Sequence, residues 1–216
     1  MQTRSKSVVG LAAVCAALLL TSRCGRRSQE QIQALPFEQL GRVLARETLQ
    51  AIPGPGPVVA VCYRPTSQPG NPVLGPAADT FLRALRADGR LTVAAVLHEE
   101  FNPCGGEAGW ADTLMASTRF TEFVTRHRTA AAIVVVGGTP QLSVADAARL
   151  PAPGPKLIAA AVLTPPAPWL LERGVLAAAI VARRQGSEER TPPPTPQAWF
   201  DRRYEVLHAG RKEAQP

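Results

Sequence analysis

From residue 58 onward the chain repeats one pattern. Short apolar runs at residues 58–63, 91–97, 131–136, 157–163 and 175–182 alternate with longer stretches whose apolar residues recur at helical spacing. A half-exposed strand alternates apolar and polar positions. Runs without that alternation fit strands buried on both faces of a parallel sheet. The intervening stretches 76–87, 110–127, 144–150 and 168–173 predict helices. Phe81, Leu82 and Leu85 form the apolar stripe of the first, and Leu114, Phe120, Phe123 and Val124 that of the second. Pro76 stands in an opening turn, where its missing N–H costs nothing. The pattern predicts an α/β fold: a single doubly wound, mostly parallel five-stranded sheet with helices on both faces. The strand order expected for a domain of this size is 2-1-3-4-5.

The flanks read differently. Residues 29–50 predict an extra helix, with Phe37, Leu40, Val43 and Leu44 on one face and Glu38, Arg42, Arg46 and Glu47 on the other. A Pro/Gly run from Ile52 to Pro57 stops it. Residues 185–197 are a proline-rich linker. Trp199, Phe200, Tyr204 and Leu207 follow it and are aromatic and apolar enough to dock back as an edge strand. The expected organisation is 1–27 signal peptide or membrane anchor, 28–56 helix and linker, 57–184 Rossmann-like domain, and 185–216 linker and docking segment.

The leader carries the clearest statement about location. Arg4 and Lys6 precede an uncharged apolar run from Val8 to Leu20, which is 13 residues long. That is short of the roughly 20 residues that span a bilayer and matches the apolar region of an export signal. The stretch Leu20-Thr21-Ser22-Arg23-Cys24 resembles, in part, a bacterial lipoprotein lipobox. Leu20 stands one place upstream of the family's position, and Arg23 occupies its small-residue site. The resemblance implies lipidation at Cys24. An uncleaved signal-anchor and a cleaved soluble export signal are the other two readings, and all three place the domain outside the cytoplasm, in the cell envelope.

Charge changes the picture little once the leader is set aside. The net charge is +7, and Arg4, Lys6, Arg23, Arg26 and Arg27 contribute five of those charges with no acid among them, leaving +2 for the rest. Aromatic residues are 5% of the chain, too few to interleave with a cationic patch, so nucleic acid is not an expected partner. Of four cysteines, Cys62 and Cys104 fall in the domain, and export would permit a disulfide between them. Such a bridge closes a loop of about 42 residues and would stabilise by about 4 kcal/mol in the chain-entropy description. Separate thiols are the alternative.

In an open α/β sheet, ligands sit beyond the carboxyl ends of the strands. Those ends carry Tyr63 and Arg64, His98 and Glu99, and Thr139 and Gln141, which are the candidate ligand contacts. The Gly137-Gly138 turn would let a ligand approach backbone N–H groups. Neither a GxGxxG nor a GxxxxGK[ST] phosphate loop occurs, nor a GxSxG elbow, nor HExxH. His98 and Glu99 are adjacent on a strand and point to opposite sides, which disfavours a shared metal ion. No catalytic residue, metal or cofactor is therefore assigned.

The run Ile133-Val134-Val135-Val136-Gly137-Gly138-Thr139-Pro140, followed by Pro155-Lys156-Leu157-Ile158 and by Gly174-Val175-Leu176-Ala177, resembles one lobe of a type I periplasmic binding protein. The resemblance rests on layout. It implies a lobe that takes a small ligand at its strand ends. The family clamps ligand between two lobes, whereas this chain has length for one. The expected role is a membrane-anchored, non-catalytic envelope module that binds a small molecule or an envelope protein. An enzyme of unrecognised type using the same edge is the alternative.

Overall fold

The computed structural model describes residues 29–65, 74–101, 115–139, 141–183 and 193–210. The expectations for residues 1–27, Cys24 included, lie outside the described residues, as does Cys104. No described helix is long and apolar enough to cross a membrane. The chain divides into two compact units, Met1–Gln33 and Ala34–Pro216, and the second carries the sheet.

The chain order is α1 (Gln29–Ala51), β1 (Gly56–Pro65), α2 (Leu74–Asp88), β2 (Leu91–Phe101), α3 (Ser117–Arg126), β3 (Ala132–Val136), α4 (Val144–Ala147), β4 (Lys156–Ala161), α5 (Pro168–Glu172), β5 (Leu176–Ala182), α6 (Pro196–Arg203) and β6 (Tyr204–His208). The strands form one sheet in the order β2-β1-β3-β4-β5-β6. The first five are parallel, and β6 pairs antiparallel with β5, Ile180 opposite Val206.

The expected order 2-1-3-4-5 matches the first five strands, and the strand count is corrected from five to six. The sixth strand is the aromatic segment after the linker, docked on the free edge of β5. Two helices are shorter than their patterns predict. Among the described residues α3 begins only at Ser117, and Met115 and Ala116 before it are not helical. The stretch from residue 144 holds a single helical turn and then unwinds, leading into Pro151 and Pro153, which cannot continue a helix.

Strand periodicity divides the core. Val58, Ala60 and Cys62 face one side of β1, while Val59, Val61 and Tyr63 face the other. The first side packs under Leu40, Val43 and Leu44 of α1, Ala77, Phe81 and Leu85 of α2, and Phe200 of α6. The second packs under Phe120 and Val124 of α3 and Leu170 and Leu171 of α5. Each fully buried leucine or phenylalanine contributes about 1.5–3 kcal/mol by leaving water.

The first helix is therefore part of the core. At Gly41 its backbone lies against the Ala77 carbonyl of α2, an approach that leaves no room for a Cβ. Glu47, expected on the solvent face of α1, is only 5% exposed. It sits against β6, with the His208 Nε2 3.0 Å from its Oε2 and the Arg46 guanidinium donating to its Oε1. Helical spacing alone could not reveal that a strand 161 positions away covers this turn.

Candidate functional site

The first two strands, running in register, bring the candidate contacts to one edge of the sheet. Cys62 pairs with His98, Tyr63 with Glu99, and Arg64 with Glu100. Because neighbours along a strand face opposite sides, this register makes two clusters.

On the α2 side, an Arg64 guanidinium nitrogen lies 3.2 Å from His98 Nε2. Both side chains are exposed. Burial and the neighbouring Arg64 hold His98 below its ordinary pKa, against a smaller opposing effect of Asp79. Cys62 lies beneath them, 2% exposed, its thiol pushed up to about 11 by burial. It is a free thiol among the described residues, and Cys104, the expected partner, lies outside them.

On the α3 side, Arg119 donates to Glu99 Oε1 at 2.7 Å, with Glu99 itself only 8% exposed. Tyr63 is fully buried beside it and its hydroxyl accepts from the Met115 N–H at 3.1 Å. Burial raises the phenol to about 12, so it stays protonated. Sequence reasoning selected Tyr63 and Glu99 but not Arg119. No local spacing links position 99 to position 119.

The remaining candidates are spread along the same edge. Thr139 is buried, and its hydroxyl donates to the Thr164 carbonyl at 3.3 Å, tying the end of β3 to the segment after β4. Among the described residues the enclosed Thr164 hydroxyl has no hydrogen-bond partner. Gln141 is exposed. Gly137 adopts φ +124°, a conformation open to glycine, and its N–H donates to Ala160 while its carbonyl accepts from Leu163. Those backbone groups extend the β3–β4 ladder, so the Gly137 N–H is not free for a ligand.

A further cluster was not expected. Ser117 at the start of α3 donates to Asp146 Oδ2 at 2.5 Å, and Ser143, the N-cap of α4, donates to the same oxygen at 2.7 Å. The Ser143 N–H returns a bond to the Ser117 hydroxyl. These hydrogen bonds, Ser117 first, hold the Asp146 carboxyl below the usual range.

Two clefts lie elsewhere. One of about 310 Å³ opens at the amino ends of β4 and β5, between Leu150, Lys156, Leu157 and Arg173. The other, about 440 Å³, runs between α1 and α2 past Arg42 and Arg83. The chemistry-bearing side chains gather at the opposite, carboxyl edge.

No family model matches the sequence, and no curated protein matches it. Similarity is found among solved structures. AraP, an arabinose-binding protein from Geobacillus stearothermophilus, is 18% identical with a TM-score of 0.46, over 67% of this chain and 45% of that one. The sugar-binding protein of a sugar ABC transporter from Bacillus halodurans is also 18% identical, with a TM-score of 0.48 and the same coverage. A structure of the XylFII molecule is 13% identical with a TM-score of 0.49, over 81% of this chain and 61% of that one. The chain thus spans under half the length of the first two. The likeness to one lobe of a type I periplasmic binding protein is one of α/β fold, at low identity and partial length.

Proposed function

We propose that this chain is an exported, envelope-held domain that binds a small solute at the carboxyl edge of its sheet without transforming it. The observation that carries this reading is the division at the end of β2. His98 and Glu99, the adjacent base and acid, turn to opposite faces, and each is engaged by its own arginine, Arg64 or Arg119. A general acid and a general base that act together must both reach one reacting centre. Separate polar clusters along an edge suit recognition instead. Export and lipidation at Cys24 belong to the same proposal and rest on the leader of residues 1–27.

Native mass spectrometry of the full chain, extracted from membranes in mild detergent, tests it. A mass excess released on denaturation and a chain beginning at lipidated Cys24 are the expected results. A chain recovered in the cytoplasm with no bound mass would sink the reading. Turnover of a solute that disappears in His98→Ala or Glu99→Gln would replace it with an enzyme.

A further inference from the structure

The geometry points to the Arg64–His98 pair as a proton-coupled subsite for an oxyanion, a sulfate, phosphate or carboxylate group carried by a small solute. The inference rests on the binding reading above and adds the charge of the ligand.

A guanidinium only donates hydrogen bonds, so the His98 Nε2 that lies 3.2 Å from it must accept. The ring is then neutral, with its proton on Nδ1. Protonation at Nε2 would set two cations against each other. An oxyanion between them would reverse that balance, because it accepts from both the arginine fork and the protonated imidazole.

The surroundings fit this use. Among the described residues Arg64 makes no ion pair, although Glu100 is its register neighbour on β2. The groups that face His98 come from β1 and α2, the two elements packed against its strand. From β1 they are Arg64, which lowers its proton affinity, and the Cys62 thiol, neutral because burial lifts it to about 11. From α2 there is exposed Asp79, which favours the protonated ring and would repel an anion. Proton and anion binding are thermodynamically linked, so each must strengthen the other by the same factor.

Calorimetric titration of the full chain with inorganic sulfate, whose charge is constant across the range, tests the assignment. Affinity should fall about tenfold from pH 5.5 to pH 7.5, since one proton taken up on binding gives up to about tenfold per pH unit above the imidazole's titration. Arg64→Gln should weaken binding by about tenfold or more. His98→Gln should retain sulfate binding but lose its pH dependence, and Asp79→Asn should tighten it. Sulfate should also raise the His98 titration followed by NMR, which a merely structural Arg64–His98 contact would not produce. Vesicles of phosphatidylglycerol distinguish the source: Arg64-dependent vesicle binding without sulfate binding overturns the solute assignment in favour of a lipid headgroup. A ligand mass excess in the native spectrum with no sulfate response overturns the anion class and leaves the binding reading standing. Neither signal overturns both.

Discussion

Asp146 shows how one side chain joins two segments. Its carboxylate accepts from Ser117 of α3 and Ser143 ahead of α4, which ties two helix starts 26 positions apart. Because these bonds favour the charged form, the folded chain holds Asp146 ionised to lower pH than the unfolded chain does. The stabilisation is complete above the ordinary carboxylate value of about 4 and is lost as pH falls through the lowered one. Asp146→Asn should reduce the urea midpoint at pH 6, and the gap from the parent should close on acidification below about pH 4. A gap that is constant with pH would show that the hydrogen bonds do not select the ionised form. The residues at the carboxyl edge were legible in the sequence because polar side chains closing apolar strands stand out. Arg119, Ser117 and Asp146 were not, since nothing local distinguishes them from surface residues of amphipathic segments.

Among the elements, α1 departs most from its reading as an extra helix ahead of the Rossmann-like domain. Its apolar stripe at Leu40, Val43 and Leu44 was plain from spacing, but its depth in the core depends on Gly41, where it lies against the backbone of α2 at Ala77. Gly41→Val must push the helices apart, and thermal unfolding should register a loss of about 1–3 kcal/mol. An unchanged melting temperature would mean that α1 slides without cost. The buried Glu47 limits such sliding, since moving α1 would part it from His208 of β6. The strands were the most legible elements. Central strands must be apolar on both faces, and that requirement is written residue by residue in β1, β3, β4 and β5.

At the scale of the whole molecule, the C-terminal segment closes the structure. Phe200 and Tyr204 are buried in the α1–α2 side of the core, Trp199 meets Phe37 edge-on with ring centroids 5.4 Å apart, and β6 caps the edge of β5. Deleting residues 193–216 should therefore cost more than a tail. It uncovers the β5 edge, removes Phe200, whose truncation to alanine alone is worth about 3–5 kcal/mol, and leaves Glu47 without His208. Circular dichroism should show a broad transition well below the parent's. An identical, sharp transition would mean that the segment is an accessory. The sequence by itself determined the number and kind of elements from residue 58 to 182, because short-range periodicity acts within a few tens of residues. The order of the parallel strands was an expectation from domain size alone, since crossover handedness allows several orders. Only the tertiary structure decided that the C-terminal segment pairs antiparallel with β5, that Glu47 is buried, and that Arg64 and Arg119 are the partners of His98 and Glu99. Each of those is a contact between chemically ordinary residues far apart in sequence, and such contacts exist only after the strands have set their register.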